Sequence, residues 1–159
     1  MHEKRKNKKY PLLPFSQLVF DMTRWAPWVY KFEVRWCWHG QKKELQRIES
    51  AILQVLNHHP VFNMYVDTHG YQSYQSSPAT MKGQYYTVKL WTKGKDVYGH
   101  LRWNRILGDA KSINLAVENF IRAYKGEILP PDEYLTYLDE QSQIQRSAHY
   151  AASKAWLET

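Results

Sequence analysis

The residues whose types and spacing suit them best to chemistry lie between His100 and Ser112, in the run His-Leu-Arg-Trp-Asn-Arg-Ile-Leu-Gly-Asp-Ala-Lys-Ser. An imidazole titrates near neutrality and can take a proton from a nucleophile, so His100 is a candidate substrate-facing group. A guanidinium stays protonated. Arg105 can therefore donate hydrogen bonds to a developing oxyanion but cannot act as a general base. Asn104 offers both a donor and an acceptor beside it. Asp109, just ahead of a helical pattern, suits a helix cap or an ion pair with Arg105, and Ser112 adds a hydroxyl three residues on. His58-His59 falls at a helix end, where a positive ring is favoured by the negative pole. A zinc site there needs further ligands. With Cys37 the only cysteine and no well-spaced carboxylates, no metal is expected. Neither a glycine-rich phosphate loop nor a Gly-x-Ser-x-Gly elbow is present.

The elements that must position these groups follow from periodicity. Val97, Gly99, Leu101 and Trp103 alternate with Tyr98, His100, Arg102 and Asn104, which predicts a strand carrying the two sets on opposite faces. Tyr85 to Trp91 predicts its hairpin partner across Thr92–Asp96, and a helix is expected from about Lys111 to Lys125, closed by Gly126. Upstream, Phe15 to Thr23 reads as a short helix and Val29 to Trp38 as a strand with one wet face. Lys42 to Asn57 reads as the strongest helix, with Leu45, Ile48, Ile52 and Leu56 in a stripe stopped by Pro60. Val61–Val66 and Tyr71–Gln75 predict a second hairpin. Beyond Pro130-Pro131, one long helix is expected over Asp132–Leu157, its acidic start set at the positive pole. The fold class is α+β, with a mainly antiparallel sheet and packed helices.

Composition narrows the partners. The chain has 159 residues, enough for one domain without disulfides or metal. Its net charge of +7 suggests nucleic acid, but five cations and one glutamate in residues 1–9 supply +4 of it. Those residues read as a disordered basic tail and residues 10–159 as a single lobe, so nucleic acid is not the expected partner. Seven tryptophans and twelve tyrosines mostly alternate within strands, as core and groove lining do. The lack of a long apolar run or a secretory leader, with one cysteine, predicts a cytoplasmic protein that does not enter the membrane.

Several segments, in order, resemble the N-terminal lobe of condensation domains of non-ribosomal peptide synthetases, within the chloramphenicol acetyltransferase-like superfamily. Tyr10-Pro11-Leu12-Leu13-Pro14-Phe15-Ser16-Gln17 is similar to the opening Pro-Leu-Ser-x-x-Gln signature. Tyr30, Gly40, Leu45, Ala51 and Val55 are similar to the first strand and following helix, and His59-Pro60-Val61-Phe62 to the His-Pro-x-Leu after it. Gly70 to Gln75 resembles the family's glycine hairpin, and Tyr134 to Gln141 with Tyr150 and Trp156 its helical tail. The run Leu101 to Ser112 resembles the strand ending in His-His-x-x-x-Asp-Gly. Asn104 and Arg105 stand at the two histidines, Ala110 at the glycine, and Asp109 and Ser112 match.

The resemblance implies an acyltransferase forming amides or esters from thioesters carried on phosphopantetheine, with no cofactor bound directly by the lobe. In the family the second histidine handles the proton or positions the nucleophile, and the aspartate ties the loop. With Arg105 in place of that histidine, Asn104, Arg105 and Asp109 form a degenerate catalytic motif, with His100 and Ser112 as substrate-binding candidates. The implied partners are an acyl or peptidyl carrier protein and a second condensation lobe in the same or another chain. A non-catalytic module that binds a carrier or a partner lobe is the alternative.

Overall fold

A computed structural model describes residues 8–26, 28 and 31–157. The elements run β1 (Lys9–Pro11), α1 (Pro14–Trp25), β2 (Lys31–Trp38), α2 (Leu45–His58), β3 (Met64–Val66), β4 (Tyr71–Tyr74), β5 (Tyr86–Lys93), β6 (Asp96–Asn104), α3 (Ala110–Lys125), α4 (Tyr134–Gln145) and α5 (Ala148–Leu157). They form two antiparallel three-stranded sheets, ordered β1-β4-β3 and β2-β6-β5, with helices packed on them, as an α+β lobe requires.

The larger sheet follows the alternation read from β6. Leu101 sits between Val34 of β2 and Val88 of β5, and Trp103 between Phe32 and Tyr86, so one face is apolar across all three strands. Helices α2 and α3 cover that face. Leu56, Phe62, Tyr86, Val88, Trp103 and Ile113 bury themselves between the layers, and the Phe62 ring meets Trp103 edge-on at a centroid distance of 5.2 Å. Gly99 is required within β6: a Cβ there would come 2.2 Å from the Trp36 ring lying across the strand. The smaller sheet packs Tyr10 and Met64 against Leu135 and Leu138 of α4.

Local boundaries differ from the sequence expectation where capping decides them. The β5–β6 ladder runs on to Lys93↔Asp96, leaving a two-residue turn with Gly94 at φ 63°. Val61–Val66 is not one strand. Pro60–Asn63 makes a 3-10 turn, Phe62 N–H donating to His59 O, because Pro60 presets a helical φ and lacks a ladder donor; strand geometry begins only at Met64. The single terminal helix is instead two. Ser147 donates its hydroxyl to Ile144 O and accepts Tyr150 N–H, which caps the end of α4 and starts α5 at the same residue. The acidic start also shifts, since Asp132 precedes α4 and accepts the Tyr134 N–H at 2.8 Å.

Lys8 and Lys9, read as tail, belong to the folded body. Lys9 opens β1 and its ammonium bonds Asp67 at 2.8 Å, while Lys8 pairs with Asp139. The Lys9 hydrogen bond, with backbone donors Tyr71 and His69, lowers Asp67 to about 2. Residues 1–7 and Tyr30 of the sequence resemblance lie outside the described residues. No helix among the described residues is long and apolar enough to cross a membrane.

Candidate functional site

The motif segment is a strand, one tight turn and a helix start, each fixed by a particular side chain. Asn104 ends β6: its N–H donates to Tyr85 O and its Oδ1 accepts the Ile106 N–H at 2.9 Å. That bond starts a 3-10 turn over Arg105–Leu107. Ile106 anchors the turn among Leu12, Val19 and Val66, and Ser16 of α1 donates its hydroxyl to Ile106 O at 3.1 Å. The serine of the opening signature therefore holds the motif turn from 90 residues away in the chain. Gly108 follows in close quarters, where a Cβ would fall 2.5 Å from Ser112 Oγ. Asp109 then caps α3, accepting Ser112 N–H at 2.9 Å and Ser112 O–H at 3.0 Å. Those Ser112 bonds hold its carboxyl below the ordinary aspartate value.

The structure thus places each candidate residue. Asn104 is buried and occupied as a turn cap, and Asp109 and Ser112 satisfy each other. Of the two roles open to Asp109, the cap forms and the ion pair with Arg105 does not. The Arg105 guanidinium lies 4.7 Å above the Phe32 ring instead, an arrangement favoured because the ring face is electronegative. His100 sits four residues back on β6, about 13 Å along the strand at about 3.3 Å per residue. It faces Glu33 at 3.3 Å, on the sheet surface opposite Trp103, and does not join the motif turn. Burial pushes Glu33 up, but the Arg102 charge and the His100 hydrogen bond outweigh it and hold it below its ordinary value.

The motif does border a cleft of about 160 Å³, lined by Phe62, Trp103, Leu107 and Ser112 and, from across the lobe, by His59, Asp132 and Tyr134. Here lies a buried polar cluster that the sequence reading passed over. His59 Nδ1 meets Asp132 Oδ2, and its Nε2 lies 2.9 Å from Asn119 Nδ2. With the amide nitrogen as donor, the hydrogen-bond network assigns the Nδ1–H tautomer, and the Nε2 lone pair is already taken. Burial raises Asp132, but the His59 bond and the Tyr134 N–H outweigh it and leave it below the ordinary value. The Tyr134 phenol, bonded to Gln72, is driven up by burial. The signal that could have revealed the cluster is Asn119 itself. It is a polar residue on the buried side of α3, only 1% exposed, and such a group must have a partner.

The α3 N-terminus is occupied by the Asp109 carboxylate, and Arg105 rests on Phe32, outside the residues that line the small cleft. The arrangement supplies no free imidazole, because His59 is bonded at both nitrogens and is the only histidine lining the small cleft among the described residues. A second cleft of about 350 Å³ opens between the larger sheet and α2–α3, lined by apolar side chains including Val34, Trp36, Trp38, Phe120 and Ile121.

No protein-family model matches the sequence, and no curated protein sequence matches it. Solved structures do match in fold. The starter condensation domain of rhizomide synthetase RzmA superposes with a TM-score of 0.70 at 14% identity, covering 94% of this chain and 47% of its own. The cyclization-docking bidomain of EpoB from Sorangium cellulosum gives 0.75 at 12% identity, covering 99% of this chain and 40% of its own. The X-domain from teicoplanin biosynthesis gives 0.72 at 14%, covering 95% and 43%. The chain spans less than half the length of each of these. Two antiparallel sheets, a strand–turn–helix motif tied to α1, and this agreement over nearly the whole chain establish that the fold is that of a condensation-domain lobe.

Proposed function

We propose that the chain is a lobe of a condensation-type acyltransferase, acting in amide or ester formation from carrier-bound thioesters, with a motif segment that shapes the site without moving the proton. The observation that supports this reading is the motif turn itself. Its spacing, its tie to Ser16 and its Asp109 cap are intact, while every group along it is either occupied or, like Arg105, unable to accept a proton. Phosphopantetheine-carried acyl groups are the substrates proposed for it, and an acyl or peptidyl carrier protein the partner. The test combines the chain, or the longest protein containing it, with acyl-loaded and acceptor-loaded carrier proteins and follows transfer by intact mass. Activity left unchanged by Asn104→Ala, Arg105→Ala and Asp109→Ala alike refutes the placement of the site.

The second reading, a non-catalytic module that binds a partner lobe or carrier, is favoured by α1. Phe15, Leu18, Met22 and Trp25 recur at helical spacing on its surface and are 41–88% exposed, a contiguous apolar stripe of the kind that marks an interaction surface. Transfer that needs a second lobe, together with binding lost in Leu18→Asp and Met22→Asp, selects this reading.

A further inference from the structure

At the end of the larger sheet farthest from the motif turn, β2 and β6 bring three metal-ligating side chains together. Cys37 lies at the end of β2, and His39 follows Trp38 in the turn beyond it. The β2–β6 ladder ends at Trp38↔Val97, and the turn that follows β2 brings His39 next to Asp96 at the start of β6. The distances follow. Cys37 Sγ lies 3.7 Å from His39 Nδ1, His39 Nδ1 lies 3.4 Å from Asp96 Oδ2, and all three ligand atoms fall within 4.8 Å of one another.

A tetrahedral ion at about 2.3 Å from sulfur and about 2.0–2.2 Å from nitrogen and oxygen requires ligand edges of about 3.6 Å (S–N), 3.4 Å (N–O) and 3.6 Å (S–O). Two of these edges are already present, and the third, between sulfur and Oδ2, lies within 4.8 Å. The carboxylate is also oriented in advance. Gly40 N–H donates to Asp96 Oδ1 at 2.8 Å, directing Oδ2 at His39, as outer-shell donors do in metal sites. The His39 side chain is 83% exposed, leaving a fourth position open to water.

We propose that Cys37, His39 and Asp96 bind one divalent ion of the zinc class, with water as the fourth ligand. Thiolate, imidazole and carboxylate together suit zinc rather than magnesium or calcium, which take oxygen donors. Binding releases the Cys37 thiol proton to solvent, and the two anionic ligands neutralise the ion. The single cysteine and the lack of well-spaced carboxylates argued against a metal in the sequence; Asp96 lies 57 residues from His39, and the pairing of β2 with β6 brings the two together.

The test titrates the reduced protein with Co²⁺ and records its absorption spectrum. The expected result is one ion per chain, with the strong sulfur-to-cobalt charge-transfer band and intense visible bands of tetrahedral cobalt, displaced by one equivalent of Zn²⁺. Cys37→Ser removes the charge-transfer band. His39→Ala and Asp96→Asn each weaken binding at least about tenfold, comparable to or beyond the loss of an outer-shell partner. His39 is exposed in a turn, so that variant tests the site even if a change at Cys37 disturbs the strand, and circular dichroism confirms its fold. Weak octahedral spectra only, or a charge-transfer band indifferent to His39→Ala and Asp96→Asn, overturns the proposal.

Discussion

Replacing Asp109 separates a structural from a chemical role for the motif aspartate. Its carboxylate takes two hydrogen bonds from Ser112 and is exposed to solvent. Asp109→Ala removes an N-cap, which costs about 1 kcal/mol, within a usual range of about 0.5–2. For a chain of 159 residues that lowers Tm by about 2–4 °C. Asp109→Asn keeps the acceptor, and asparagine caps as well as aspartate, so it stays within a few tenths of wild type. The pH dependence follows from the depressed carboxyl. Its folded pKa lies below the unfolded value, so its contribution is complete above about pH 4 and fades as pH falls through the folded pKa. The gap between wild type and Asp109→Ala therefore narrows on acidification. Thermal melts of the three proteins from pH 3 to 7 measure it. An Asp109→Asn protein as unstable as Asp109→Ala refutes the cap. An Asp109→Asn protein of wild-type stability that loses acyl transfer shows instead that the carboxylate charge acts in the chemistry.

Other substitutions test the packing and the buried polar cluster. Gly99→Ala forces the Trp36 ring off β6 and should cost about 1–3 kcal/mol in urea unfolding, as overpacking does; a neutral result refutes the close approach. Asn119→Leu strips the His59 Nε2 of its donor and should destabilise by about 1–3 kcal/mol in chemical denaturation, with a changed His59 ring ¹⁵N resonance to report the freed nitrogen. Asn104→His should lower stability by about 1–2 kcal/mol because Asn104 is buried and its Oδ1 starts the turn; chemical denaturation checks it. Phe62→Ala empties the meeting point of Tyr86 and Trp103 and should cost about 3–5 kcal/mol by the same measurement.

Much of the lobe was legible before any coordinates. The period-2 pattern of Val97 to Asn104 assigned both faces of β6, and the stripe in Lys42–Asn57 identified α2, because burial of one face imposes those periods wherever an element lies on a core. Boundaries set by single hydrogen bonds were less visible. Ser147 divides the terminal helix and Pro60 delays β3, and neither changes the hydrophobic pattern on which the expectations rested. In the motif, the order and spacing of Asn104, Arg105, Asp109 and Ser112 were readable. The partners of those residues were not. Arg105 took an aromatic face over Asp109 because β2 brings Phe32 beside it, a neighbour 73 positions earlier in the chain.

The sequence by itself determined the fold class, most of the helices and strands, and the absence of an imidazole at Asn104 and Arg105, since these depend on local periodicity and residue identity. Only the tertiary structure decided which polar groups meet. His59 finds Asp132 and Asn119, Ser16 finds the motif turn, and Cys37 and His39 find Asp96, each across 57 to 90 residues. The physical reason is that a buried or pairing polar group is satisfied by whatever the packing brings within about 3 Å. That distance is set by sheet register and helix docking, which no local pattern encodes.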